Sequence, residues 1–310
     1  MDTNRGDVHA LSFDVEEHFQ VAAFWSDERR SNWGSYESRV QRNVDKILDI
    51  LSLHGIQATF FVLGWVASKH PNLVKAIVRQ GHEIASHGFG HEMITTQQPD
   101  RFREDIRKSK EILEDITGIA VYGYRAPSFT ITPQTRWALP ILVQEGYRYD
   151  SSMFPVQHDR YGMPEADPHC HLIQTDSGPL WEVPLSTLKV GPVRLPIAGG
   201  GYFRLFPYPV LRRLLDRAAA GGHPLIMYLH PWELDPDQPK MAGSALSKFR
   251  HYLNLGKTET RLRRLLSDFR FATIRKAVEA IGQACGDNEN LIGKVEHYAG
   301  RYAAAGSGND

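Results

Sequence analysis

Short apolar runs and amphipathic segments alternate from residue 9 to residue 230, and glycines close most of the amphipathic ones. "HALSFD" (9–14) reads as a strand, and the helix at 38–55 follows, with Ser38 as its N-cap and Gly55 as its stop. Strands at 56–64, 82–88, 121–127 and 147–152 are separated by helices at 69–81, 98–118 and 132–146. An extended stretch (181–190), a helix (207–222) and a last strand (224–230) complete the series. Parallel strands with crossover helices follow from this order. Seven or eight such units suit a barrel-like α/β fold, although an open doubly wound sheet has the same local pattern.

Past residue 230 the texture becomes polar and weakly periodic before two further helical segments. The expected organisation is a catalytic-type domain over 1–234, an extension over 235–285 packed on it, and a tail over 286–310. The chain has 310 residues, with 36 basic and 36 acidic side chains, so no general electrostatic attraction to nucleic acid is expected. Two cysteines, Cys170 and Cys285, are too few for a disulfide framework or a cysteine zinc site. The start, "MDTNRGDVHALSF", lacks the marks of a secretory signal, and no apolar run reaches the ~18–20 residues that span a bilayer. A cytoplasmic protein is expected, with access to substrates on the cytoplasmic membrane face.

In parallel α/β sheets, chemistry gathers at the carboxyl ends of the strands. The expected strand ends here carry Asp14, Glu16, Glu17 and His18, then His87 and His91, then Arg125, Asp150 and His230. His87 and His91 are four apart and need one carboxylate to complete a three-ligand metal set. Gly88 and Gly90 between them would cost a helix about 2 kcal/mol, so a tight loop is expected instead. Asp14 and Glu16 project to the same side of an extended segment and can divide the remaining work, one holding metal and the other taking a proton from water. His230 is placed to act as a general acid, and Arg125 to keep the base ionised. Each residue has a bland alternative: a solvated strand end, a core histidine or a structural salt bridge. Their shared edge is what those alternatives leave unexplained.

The ordered set "SFDVEE", "HGFGH", "YRAPSF", "YDSS" and "MYLHPW" resembles the NodB-type polysaccharide deacetylases of carbohydrate esterase family 4. Within it the chain looks closest to the subfamily found with bacterial exosortase (PEP-CTERM) and exopolysaccharide loci. The resemblance implies a distorted (β/α) barrel of about seven strands and one divalent metal, commonly zinc, with cobalt, nickel or manganese as alternatives. It implies Asp14 as base, His87 and His91 as ligands, Arg125 as the group steadying the base, and His230 as general acid. The family's second aspartate is Val15 here, so the carboxylate ligand moves to Glu16, with Glu17 as the alternative. Asp150 is the implied partner of His230. The expected substrate is an N-acetylated sugar of a polysaccharide or a lipid-linked oligosaccharide.

Pro127, Phe129 and Trp232 are expected to wall a sugar pocket, although core packing explains each one equally well. "IAGGGYFRLFPY" (197–208) lacks the phosphate-loop pattern. Tyr202 and Arg204 in it can reach substrate from a loop over the site; a structural glycine turn competes with that reading. The rival functions are hydrolysis of cyclic imides or ureides on the same fold, and glycan binding without turnover.

Overall fold

The structure, a computed structural model, describes residues 8–158 and 161–284, so the 286–310 tail and Cys285 lie outside the described residues. Its strands are β1 (His9–Val15), β2 (Thr59–Val62), β3 (Glu83–Ser86), β4 (Gly123–Tyr124), β5 (Tyr149–Asp150), β6 (His171–Thr175), β7 (Gly178–Glu182), β8 (Thr187–Val190), β9 (Val193–Pro196), β10 (Ile226–Leu229) and β11 (Phe271–Ala272). One sheet runs β10-β1-β2-β3-β4-β5-β7, seven strands paired in parallel, which is the expected barrel count. β6 adds antiparallel to β7 as a hairpin, and β11 pairs with the start of β1. The segment after β7 bends back to β10, where the Ser186 N–H donates to the Ile226 carbonyl.

β1 and β2 are buried at every position, as expected of strands covered on both faces. The register makes one common edge of their carboxyl ends: Val15 lies opposite Val62, Val62 opposite Ser86, Ser86 opposite Tyr124, and Tyr124 opposite Asp150. On the other side of β1, Phe13 lies opposite Leu229. Residues just past each strand therefore converge on one place.

The helix Val40–His54 buries Val44, Ile47, Leu48 and Leu51 on one stripe and ends at Gly55, whose φ of 63° is left-handed. Ser38 does not cap it. The Glu17 carboxylate accepts the Arg39 N–H at 3.0 Å and the Ser38 hydroxyl at 2.5 Å, so an acid from another segment takes the cap's place. The reading of residue 64 as strand also changes: Gly64–Lys69 forms a helix of its own. In the glycine run, Gly199 (φ 149°) and Gly200 (φ 54°) pack against Tyr228 and lead into the short helix Gly200–Leu205. The structural reading of that run holds.

A Cβ on Gly199 would sit 1.7 Å from the Tyr228 carbonyl oxygen, whereas one on Gly191 would meet nothing within 4 Å. Gly199→Ala should cost more than about 2 kcal/mol in denaturant unfolding, through backbone displacement. Gly191→Ala, with only its left-handed φ at stake, should cost about 1–2 kcal/mol. Equal losses would disprove this account of the close approach.

Candidate active site

Asp14 is the last-but-one residue of β1, and Glu16 and Glu17 follow at its end. His87 follows β3 directly, and the loop after it carries Gly88 at φ 73° and His91 at φ 50°. The loop is therefore tight rather than helical. Asp105, from the helix Pro99–Thr117, accepts the N–H groups of Phe89 and Gly90 and pins it, a role that nothing in the sequence pattern marks.

Glu16, His87 and His91 are buried and bring one ligand atom each within 4.8 Å of the others. The His87 Nδ1–H donates to the Arg125 carbonyl at 2.8 Å, since a carbonyl can only accept; this leaves Nε2 with its lone pair for a cation. The Glu16 Oε2 lies 2.7 Å from His91 Nε2 as an ion pair, and His91 Nδ1 has no hydrogen-bond partner among the described residues. Two buried imidazoles and a buried carboxylate that converge in this way fit a divalent cation. The second Glu16 oxygen accepts the Trp232 indole N–H at 3.0 Å. Glu17, by contrast, is occupied at the start of Val40–His54. Burial raises the Glu16 pKa, but the charges of His91, His230 and His87 outweigh this and hold it at about 2. Burial lowers His87 to about 4, so its ring is neutral and able to ligate at neutral pH.

Arg125 is fully buried and donates to Asp14 Oδ1 at 2.6 Å, to Ser12 Oγ at 2.9 Å, and to both the carbonyl and the hydroxyl of Ser151. The pairing leaves Asp14 Oδ2 directed to the site, 4.0 Å from His230 Nε2. His230 Nε2 also lies 3.7 Å from Glu16 Oε1. The structure thus brings Asp14, Glu16, His87, His91, Arg125 and His230 together.

Four expectations change. Asp150 is not the partner of His230: Glu233 is, accepting from His230 Nδ1 at 2.7 Å. Asp150 instead accepts the Ser152 hydroxyl and lies in register with the buried Glu182, where burial pushes its carboxyl up to about 6. Arg204 does not reach substrate. It is buried, donates to Glu233 Oε2 at 2.7 Å, and gives its other N–H groups to the carbonyls of Arg250, His251 and Leu253. Trp232 is buried between the rings of His230 (4.9 Å) and His251 (4.2 Å) and orients Glu16 rather than walling an open pocket. Phe129 is buried with Pro127 and packs edge-on to Tyr228 at 5.0 Å. Tyr202 keeps partial exposure. A cleft of about 690 Å³ between the helices Tyr208–Ala219 and Leu255–Asp268 shares no residue with this site.

Sequence reasoning missed Glu233, which lies three residues after the acid histidine in the short helix Pro231–Leu234. Its carboxylate is held ionised against burial by Arg204 and His230. Burial disfavours the His230 cation, but Glu233, Glu16 and Asp14 overcome this and raise the ring to about 9.

Residues 26–149 match the family model "Polysaccharide deacetylase", and residues 151–279 match "Domain of unknown function (DUF3473)". The chain carries a polysaccharide deacetylase domain. His87, His91 and Arg125 fall within the deacetylase match, while Arg204, His230 and Glu233 fall within the second. A peptidoglycan-N-acetylglucosamine deacetylase of Bacillus cereus is 42% identical over 94 residues, which are 30% of this chain and 34% of that protein. PgdA, a peptidoglycan-N-acetylglucosamine deacetylase of Listeria monocytogenes, is 34% identical over 98 residues, 31% of this chain and 21% of that protein. The chain thus spans about a third or less of these relatives. A Mycobacterium smegmatis structure assigned as a polysaccharide deacetylase superposes with a TM-score of 0.62 at 21% identity, over 92% of this chain and 94% of that one. Puue allantoinase gives 0.61 at 15% identity, over 91% and 92%. The deacetylase domain shares its distorted barrel with both.

The raised His230 value means that this group adds stability below its ordinary 6.5 and that the contribution is lost as pH rises through about 9. Glu233→Gln removes the largest favourable influence on the ring's charge. An NMR titration of His230 should show its midpoint lower in Glu233→Gln than in the wild type, and an unchanged midpoint would refute the pairing.

Proposed function

We propose that this chain is a metal-dependent hydrolase that removes the N-acetyl group of an acetylated amino sugar, in a polysaccharide or a lipid-linked oligosaccharide, and releases acetate. The observation that carries this reading is the convergence of two proton-handling pairs, Arg125–Asp14 and Glu233–His230, on the cluster of Glu16, His87 and His91. The substrate class is supported by the deacetylase family match and by relatives named for N-acetylglucosamine.

Glu16, His87 and His91 would hold the cation; two imidazoles and one carboxylate suit zinc, with cobalt, nickel or manganese also able to serve. A divalent cation there acidifies water and polarises an amide carbonyl. Asp14 Oδ2, with Oδ1 committed to Arg125, takes the proton of the attacking water as the C–O bond forms. His230, held at Nδ1 by Glu233, donates from Nε2 to the sugar nitrogen as the C–N bond breaks. Water thereby supplies one oxygen of acetate, the amine leaves neutral, and Asp14 gives up its proton to solvent as His230 is reprotonated. Ser12 and Ser151 occupy the remaining Arg125 donors, which keeps the guanidinium aimed at Asp14.

The barrel likeness to an allantoinase concerns the fold alone, so cyclic ureides belong among the substrates to be tried. Acetate release should be seen with N-acetylated glycans or lipid-linked sugars and not with cyclic ureides or imides. Chelation should abolish it, and zinc or cobalt should restore it. Asp14→Asn should retain bound metal by elemental measurement while turnover falls about 10²-fold or more, the usual worth of a positioned base. His87→Ala should lose the metal. Near-normal turnover in Asp14→Asn, or ureide hydrolysis without acetate release, would overturn the assignment.

A further inference from the structure

The helix Ala245–Tyr252 stands out from the body of the protein, and all its residues but Ser247, His251 and Tyr252 are exposed. Leu246 is 57% exposed and Phe249 59%. Single exposed apolar residues need no explanation, but these two are three apart and share one helical face. At about 100° per residue, Arg250 joins that outer face, and the buried His251 lies on the opposite one. The helix cannot turn its apolar face inward. His251 is stacked on Trp232 at 4.2 Å, and the carbonyls of Arg250, His251 and Leu253 are taken by Arg204.

The charge around this face is one-sided. Residues 238–258 contain Lys240, Lys248, Arg250 and Lys257 and not one aspartate or glutamate. Elsewhere the surface mixes its signs, as where Arg30 and Arg101 share Glu92 and Arg103 and Arg107 share Glu145. Apolar side chains fixed outward beside cations that make no ion pair among the described residues complement a surface whose negative groups overlie an apolar interior.

We propose that the Ala245–Tyr252 helix is a docking face for an anionic lipid bilayer, with Leu246 and Phe249 entering the headgroup layer, and with Arg250 on the same face and Lys240 and Lys257 from the flanking chain contacting lipid phosphates. No helix among the described residues is long and apolar enough to cross a membrane, so the contact is peripheral. It lies one ring from Trp232, which holds Glu16. Docking would therefore set the candidate site beside the bilayer surface, within reach of a glycan carried there. The contact does not rest on the deacetylase reading, because its readout is binding alone.

Co-sedimentation of the full chain with phosphatidylglycerol–phosphatidylcholine vesicles tests it. Binding is expected to these vesicles, to be weak or absent with pure phosphatidylcholine, and to fall at high salt. Lys240→Gln with Arg250→Gln should weaken it about thirtyfold, the expectation for two surface charges. Leu246→Ser with Phe249→Ser should weaken it further still, with circular dichroism and thermal midpoint unchanged as the control for folding. Failure to sediment with the anionic vesicles, or wild-type sedimentation of the Leu246→Ser/Phe249→Ser variant, would overturn the proposal. So would tighter binding to soluble dextran sulfate than to vesicles, which would make the face a glycan surface.

Discussion

One buried guanidinium organises the active edge of this barrel. Arg125 has no exposed surface, so its charge must be met inside the protein, and it is met by residues of β1 and of the β5 end. Its guanidinium fixes Asp14 near the end of β1 and takes two groups of Ser151 after β5, and its backbone carbonyl accepts from His87 after β3. A charge that cannot reach water tolerates little displacement of its partners. The same residue thus sets the orientation of the proposed base and the tautomer of a proposed ligand.

The proposed acid is held in place differently. His230 is steadied by Glu233, Glu233 by Arg204, and Arg204 by backbone carbonyls at 250–253, in the part of the chain beyond the last barrel strand. The extension accordingly acts as a brace for the acid side of the site, and its His251 supports Trp232 as well. A chain cut after residue 234 would keep every proposed ligand yet leave Arg204 buried without three of its acceptors, a costly state for a charge.

Much of the fold was legible because parallel α/β units announce themselves locally. Buried strands are short apolar runs, helices carry apolar stripes, and glycine stops mark their ends, as Gly55 and Gly118 do. The candidate residues were legible for a related reason: Asp14, His87, Arg125 and His230 each follow an apolar run, where a barrel collects its chemistry. Most of the errors share a cause too. Arg204, Trp232 and Ser38 were assigned from local pattern, but their partners lie far away along the chain, while Asp150, assigned to the distant His230, meets the nearby Ser152. Arg204 meets Glu233 across 29 positions, and Trp232 meets Glu16 across 216.

The sequence by itself determined the element order, the glycine turns and the row of acids and histidines at one edge, because these depend on local backbone preference and periodic burial. Only the tertiary structure decided between Glu16 and Glu17, and between Asp150 and Glu233. Hydrogen-bond capacity and position both count: Glu17 is consumed by the N–H of Arg39 and the hydroxyl of Ser38, Asp150 faces Ser152 and Glu182 while Glu233 takes His230, and Glu16 lies with two imidazoles. Which carboxylate remains free for chemistry is a property of packing in three dimensions, and composition or spacing has no access to it.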